Sequence, residues 1–111
     1  MAELAQFQVH PGDGALGSDD AGLVVVTGEI DMSNAGEFER AIAQAWQPHQ
    51  RGVVVDLSRA NFMGSDAFNA LLTAARTIGA GGGEIRLRKP SDSVRRVLSI
   101  LGLETTFPIE E

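Results

Sequence analysis

Hydrophobic residues change their spacing several times along the chain, and each spacing predicts a different element. Phe7 and Val9 alternate with polar residues, which predicts an edge strand, and the β-branched run at 23–27 predicts a second strand. Residues 11–22 are rich in Gly, Asp, Ser and Pro, which predicts a long flexible connection. We therefore expect the first two strands to form a hairpin.

Three later segments show the i, i+3, i+4 spacing of amphipathic helices. The first follows a capping signal at Ser33 or Asn34 and is expected to stop at Pro48. The second is expected from about Ser65 to Ile78, and the third begins after Pro90 with Ser91 as its cap. Their apolar stripes are Phe38, Ile42, Ala45 and Trp46; Phe68, Leu71, Leu72, Ala75 and Ile78; and Val94, Val97, Leu98 and Leu101.

Further strands are predicted between the helices. The continuous apolar run at 53–57 is typical of a strand buried on both faces, whereas 84–88 alternates and should lie near an edge with one wet face. Residues 58–64 predict a loop that Phe62 and Met63 anchor in the core, and 105–109 a possible last short strand. The order β-β-α-β-α-β-α predicts an α/β fold, with a mixed, mostly parallel sheet of four to five strands and three main helices. Three helices suffice to cover one face of such a sheet well.

Composition limits the possible functions. The 111 residues fit one domain, with 1–22 as an N-terminal strand and flexible loop and 23–109 as the core. The chain has no cysteine, which excludes disulfides and thiolate metal sites. Its net charge of −6 argues against direct nucleic-acid binding. No apolar run approaches a membrane span and no signal peptide is evident, so we expect a cytoplasmic protein without membrane insertion.

No arrangement of residues predicts catalysis. His10 and His49 are too far apart in sequence to pair by local spacing, and no serine has a positioned base. Glycines 81–83 precede a strand rather than a helix that opens with Lys and Ser/Thr, so they are not a phosphate loop. We therefore expect no enzyme activity, no metal and no cofactor. The oligomeric state is left open.

Ser65 stands where the second helix begins. A helix N-terminus presents unpaired N–H groups and a partial positive charge. A serine there is most simply an N-cap, and the same position also suits a phosphate because the helix end stabilises the added anion. Asp66 would be favourable at that end.

Several segments together resemble a STAS domain of the anti-sigma factor antagonist type, over about Leu23 to Pro108. The segment 27–31, TGEID, resembles the family's G-E-[LI]-D, and 55–58, VDLS, resembles V-[LV]-D-L-S. The segment 62–68, FMGSDAF, stands in the place of F-[IM]-D-S-S-G-L, and 95–108 resembles the final helix and its exit.

This resemblance implies a regulator that binds an anti-sigma factor with serine-kinase activity and is switched off when that kinase phosphorylates a serine. The phosphoacceptor position maps to Ser65. Gly64, Asp66 and Ala67 replace the family's Asp, second Ser and Gly. The implied partner-binding residues are Asp31, Met32, Ser33, Ser58, Asn61, Met63, Gly64, Asp66 and Asn69.

Two other functions remain open. The altered sequence around Ser65 is compatible with a STAS scaffold that binds its partner without phosphorylation, as a subunit of a lipid-transport or stress-signalling complex. A receiver-like domain with Asp56 as phosphoacceptor would need further acidic residues for magnesium and a distal lysine. Asp31 is a single acidic candidate and Lys89 the only lysine.

Overall fold

The computed structural model describes residues 6–10, 21–46 and 51–111. Within these ranges the elements are β1 (Gln6–His10), β2 (Ala21–Ile30), α1 (Ala35–Ala45), β3 (Gly52–Met63), α2 (Ser65–Ala80), β4 (Glu84–Arg88), α3 (Asp92–Ile100) and β5 (Ile109–Glu110). Of the predicted flexible connection at 11–22, residues 11–20 lie outside the described residues, as do the helix stop at Pro48 and His49. Residues 21 and 22 belong to β2 rather than to a connection.

All five strands form one sheet in the order β1-β2-β3-β4-β5. The predicted hairpin is confirmed, because β1 pairs antiparallel with β2. The other pairs are parallel, so β2, β3, β4 and β5 all point the same way. The carboxyl ends of β2 and β3 therefore meet at one edge of the sheet, where α1 and α2 begin. The predicted α/β class and mostly parallel sheet are confirmed.

The main core lies between one face of the sheet and the three helices, as expected. It includes fully buried side chains from each helix, such as Phe38 of α1, Leu71 of α2 and Leu98 of α3. The opposite face carries a smaller buried group, Ala21, Leu23 and Val54. Val53 and Val55 belong to the main core, which explains the continuous apolar run in β3: both faces of this strand are buried.

Two predicted boundaries were wrong at the carboxyl edge of the sheet. The chain was expected to leave β2 at Gly28, yet β2 continues to Ile30; residues 58–64 were expected to form a loop, yet β3 continues to Met63. These extensions pair with each other, Glu29 with Phe62 and Ile30 with Met63. Two register shifts along the β2–β3 pair interrupt the regular alternation, so the sequence lacks the period-two pattern of a strand here.

The end of the chain is held by ion pairs. Arg86 and Arg88 on β4 both contact the carboxylate of Glu110 on β5, at 3.4 and 2.7 Å, and Arg95 of α3 pairs with Glu111. Much of the basic charge that the sequence concentrates at 86–96 is thus neutralised by the last two carboxylates. The predicted last strand is present, at 109–110 rather than 105–109.

Candidate functional site

The turn between β2 and α1 is held rigid by its own side chains. The Asp31 carboxylate accepts hydrogen bonds from the backbone N–H of Ser33 at 2.8 Å and from the Ser33 hydroxyl at 2.6 Å. Asn34 accepts from the Asp31 backbone N–H and donates to the Glu29 carbonyl, both at 2.9 Å. Asn34 is the N-cap residue by position, but its side chain is used in these bonds instead of capping α1. The fixed turn presents Met32, whose side chain is 81% exposed.

The electrostatics of this turn follow from the same bonds. Hydrogen bonds from the Ser33 hydroxyl and then the Ser33 backbone N–H lower the pKa of the Asp31 carboxyl below its ordinary value. Since desolvation opposes this shift and is weaker, Asp31 stays ionised at neutral pH. A permanent negative charge therefore lies on the surface beside the start of α2.

The start of α2 lies directly against this turn. The Gly64 N–H donates to the Ile30 carbonyl at 2.9 Å, and a Cβ built on Gly64 would lie 3.9 Å from the Asp31 Cα. Gly64 is the N-cap of α2, and it has no side chain to accept a hydrogen bond from the first turn. Ser65 is the first helical residue, so its favoured role as N-cap was wrong. Its side chain is exposed, as is Asn69 one turn later, and Asp66 is half-buried in the first turn.

Phe62 is a surface residue that the sequence analysis missed. It was expected to anchor a loop in the core together with Met63. Instead Met63 is 6% exposed, whereas Phe62 is 51% exposed and lies 3.5 Å from where a Gly64 Cβ would be. Successive residues of a strand point to opposite faces, so once β3 is known to include both, only one can face the core. Assigning residues 58–63 to a strand would have revealed Phe62.

The predicted partner-binding residues divide into three groups. Asp31, Met32, Ser33, Gly64, Asp66 and Asn69 lie on or beside the two joined segments, and Asn61 is exposed near the end of β3. Met63 is in the core and supports this surface from below. Ser58 is exposed but lies five residues back along β3, roughly 16 Å from its end at 3.3 Å per residue.

Asp56 has a local structural role. Its carboxylate accepts from the Ser58 backbone N–H at 2.9 Å and from the Ser58 hydroxyl at 2.7 Å. No group of three or more His, Asp or Glu side chains within the described ranges is arranged to hold a metal ion. Asp56 therefore lacks, in this part of the chain, the acidic neighbours that a receiver domain uses for magnesium.

Comparison with known proteins identifies the family. The sequence model of the STAS domain family matches residues 15–111 of this chain. The chain belongs to the STAS domain family. STAS proteins of the anti-sigma factor antagonist type are regulators rather than enzymes, in agreement with the prediction.

Two similar proteins are anti-sigma factor antagonists by name, and a third shares the fold. The anti-sigma-F factor antagonist RsfB of Mycobacterium tuberculosis is 29% identical over 92 residues, covering 81% of this chain and 75% of RsfB. The crystal structure of an anti-sigma factor antagonist from Mycobacterium paratuberculosis superposes with a TM-score of 0.79 at 28% identity, over 99% of this chain and 90% of that one. The Bacillus cell fate determinant SpoIIAA in its phosphorylated form shares the fold, with a TM-score of 0.70 at 21% identity over 96% and 92% of the two chains.

The described part of this STAS domain has no helix long and apolar enough to cross a membrane; the longest, α2, has 16 residues.

Proposed function

We propose that this protein is an anti-sigma factor antagonist that binds an anti-sigma factor with serine-kinase activity and loses that partner when Ser65 is phosphorylated. The observation that carries the proposal is the exposed Ser65 hydroxyl at the first position of α2, beside the rigid turn of Asp31 and the exposed Met32. Similarity to RsfB, an anti-sigma-F factor antagonist by name, supports the choice of partner.

The binding surface combines a preorganised turn with an apolar anchor. Because Asp31 and Asn34 already hold the turn through side-chain hydrogen bonds, little conformational entropy is lost when a partner covers it. Met32 supplies a flexible apolar side chain that can fill a partner's pocket. Energetic hot spots commonly lie at such anchors near the centre of an interface, with polar groups around them.

Phosphorylation of Ser65 would add negative charge and bulk to this surface. A phosphate adds about −1.5 to −2 charges at neutral pH. The new charge would lie beside Asp31 and Asp66 at the centre of the contact. A partner that covers it must either remove this charge from water without pairing it or meet it with a like charge, and either costs several kcal/mol. Since about 1.4 kcal/mol is a tenfold change in affinity, such a cost reduces binding by orders of magnitude.

The test uses purified serine-kinase anti-sigma factors from the same genome, with ATP. Mass spectrometry should locate phosphate on Ser65, and none should appear on Ser65→Ala. Titration calorimetry should show at least tenfold weaker binding for Ser65→Asp. The matched control is Ser99→Asp, which places the same charge on an exposed serine near the end of α3 and should bind as the wild type does.

The same experiment decides between the switch and the scaffold function. Gly64, Asp66 and Ala67 replace all three residues that accompany the phosphorylated serine in the family's D-S-S-G motif, which motivates the alternative of a partner that binds without phosphorylation. No phosphate on Ser65, together with full binding of Ser65→Asp, would reject the switch and favour the scaffold. Failure of every anti-sigma factor to bind the wild type would reject the antagonist role itself.

A further inference from the structure

The two edge strands of the sheet differ in how they are protected from pairing with a further strand. β5 is only two residues long, and its residue Glu110 is held by Arg86 and Arg88. β1 is five residues long, and among the described residues it has a neighbouring strand on the β2 side alone. Because an antiparallel edge strand directs every second N–H and C=O away from its neighbour, β1 presents a row of backbone donors and acceptors.

β1 also lacks the features that usually prevent edge pairing. Its sequence, QFQVH, contains no Pro, Asp, Glu, Lys or Arg. Its five residues pair with β2 in an uninterrupted register, whereas the β2–β3 pair has two register shifts. Natural proteins commonly block exposed edges with charged side chains, Pro or bulges. β1 is therefore a regular, uncharged edge to which another strand can be added.

The two faces of β1 define the strand that would fit beside it. Phe7 and Val9 are half-buried and pack against the main core on the helix side, where the Phe7 ring stacks on Phe38 of α1 with the ring centroids 5.6 Å apart. Gln6 and Gln8 are exposed on the opposite face. A strand added at this edge should carry apolar side chains on the helix side and polar ones on the other.

A second copy of this chain supplies a strand with that pattern. When two identical sheets join edge to edge about a two-fold axis perpendicular to them, their helix-covered faces lie on the same side, so residues that face the helices must pair with one another. The register centred on Gln8 meets this condition and uses all of β1. It places Gln8 opposite Gln8 of the second copy, Phe7 opposite Val9 and Gln6 opposite His10. Phe7 with Val9 is an aromatic and β-branched pair, which is favourable across strands.

The charge of the chain also favours this edge for contact between two copies. The net charge of −6 makes two copies repel each other. In a two-fold pairing, charged residues near the axis would be brought close to their own copies, and like charges directly opposite each other are destabilising. Because β1 contains no acidic or basic residue of that kind, its self-pairing adds no such repulsion.

We propose that two copies of this protein associate through β1, antiparallel about Gln8, and so join their two five-stranded sheets into one. Since β2 separates β1 from β3, this pairing leaves the end of β3 and the start of α2 uncovered, and it does not depend on the function proposed above. β1 is about 17 Å long at about 3.4 Å per residue, so the interface is small. We expect a weak dimer, with a dissociation constant between about 10 μM and 1 mM.

The decisive variants place a charge at the centre of the pairing. A residue on the two-fold axis lies opposite its own copy, with the Cβ atoms about 4.5–5.5 Å apart. Gln8→Lys and Gln8→Glu therefore each bring two like charges together, and each should raise the dissociation constant at least tenfold. An equimolar mixture of the two variants brings opposite charges together and should dimerise at least as tightly as the wild type. Analytical ultracentrifugation over about 10 μM to 1 mM protein measures these constants.

The matched controls carry the same charges away from β1. Thr73 is exposed on α2, a helix that packs on β3 and β4. Thr73→Lys and Thr73→Glu should dimerise as the wild type does, both alone and mixed. Urea unfolding of the variants at positions 8 and 73 verifies that each is folded.

Each outcome decides for or against the pairing. Self-association of the wild type that is lost in each variant at Gln8 and restored by mixing them supports an antiparallel dimer centred on that residue. A wild type that is monomeric at 1 mM contradicts the proposal. A dimer that persists in the folded variant Gln8→Lys, or that Thr73→Lys weakens equally, shows that the copies meet through another surface and also contradicts it.

Discussion

The two ends of the parallel strands are built in opposite ways. At the amino end, backbone segments approach so closely that glycine is required: a Cβ on Gly52 would overlap the Glu84 carbonyl oxygen, and one on Gly81 would overlap the Trp46 indole. At the carboxyl end, a Cβ on Gly64 would make only ordinary contacts at 3.5 Å or more, and Met32 and Phe62 are exposed. One end is close-packed and the other leaves apolar side chains uncovered.

We therefore expect the amino end of the strands to determine stability and the carboxyl end to determine recognition of a partner. Substitutions of Gly52 and Gly81 at the amino end should change the free energy of unfolding, because neighbouring atoms already occupy the space that a Cβ would need. Substitutions at the carboxyl end should leave stability nearly unchanged and alter contact with a partner.

The largest effect is expected for Gly52→Ala at the amino end. Gly52 has φ of +150°, a conformation that L side chains rarely adopt, and it starts β3 against β4. Backbone strain and the overlap with the Glu84 carbonyl should together lower the free energy of unfolding by roughly 2–4 kcal/mol. Urea unfolding measures this loss.

Gly36→Ala is the matched control for Gly52→Ala. Gly36 lies in the first turn of α1 with no atom within 4 Å of the added Cβ. Alanine is favoured over glycine in helices, so this variant should be as stable as the wild type or slightly more stable. An unchanged unfolding midpoint for Gly52→Ala would contradict the close packing of the amino end.

A smaller loss is expected for Gly81→Ala. Here the overlapping group is the Trp46 side chain rather than backbone, so the indole can shift. Overpacking of this kind typically costs about 1–3 kcal/mol. The fluorescence of Trp46, the only tryptophan, should change with the shift, whereas Gly79→Ala, with open space around its Cβ, should leave the spectrum unchanged. Equal spectra for both variants would contradict the contact.

The sequence predicts the close-packed part of the molecule better than the exposed part. The helix stripes and the run at 53–57 specify the core because burial imposes periodicity on the apolar residues. Leu101 is the exception: it was predicted in the stripe of α3, but it follows the end of that helix and is 53% exposed. At the carboxyl end, register shifts remove the alternation from residues 58–63, so the pattern predicts a loop where β3 continues. The place of Ser65 at a helix start favoured an N-cap, and only the resemblance of 62–68 to the family motif predicts a phosphoacceptor there. The exposure of Phe62 depends on the pairing of β3 with β2, which no local pattern contains.

A gain in stability is expected for Gly64→Asn at the carboxyl end. The φ of −77° and ψ of 176° at Gly64 suit any residue, and Asn at an N-cap accepts a hydrogen bond from the first turn that Gly64 leaves unmade. Capping and the removal of a flexible glycine from the unfolded chain should raise the free energy of unfolding by about 0.5–1 kcal/mol.

Gly64→Asp is the companion variant, since it provides a similar cap and adds a carboxylate beside Asp31. We expect it to be less stable than Gly64→Asn at neutral pH and equal to it once both carboxylates are protonated. Thermal unfolding across pH measures the difference. A loss of stability in Gly64→Asn would show that the carboxyl end is packed as tightly as the amino end.

The smallest effect concerns the charge on the turn and is seen by NMR rather than by unfolding. The Ser33 hydroxyl is the largest cause of the lowered pKa of Asp31, so Ser33→Ala should raise that pKa toward its ordinary value, with the Ser33 backbone N–H retaining part of the shift. Because a lowered pKa in the folded state stabilises the protein above the unfolded-state pKa and this contribution is lost as pH falls through the folded pKa, Ser33→Ala should be less sensitive to acid below about pH 4. Titration of the Asp31 side-chain carbon measures the pKa directly. An unchanged pKa in Ser33→Ala would mean that the turn is not held by this hydroxyl, and that Met32 is presented by a less rigid segment than the bond lengths indicate.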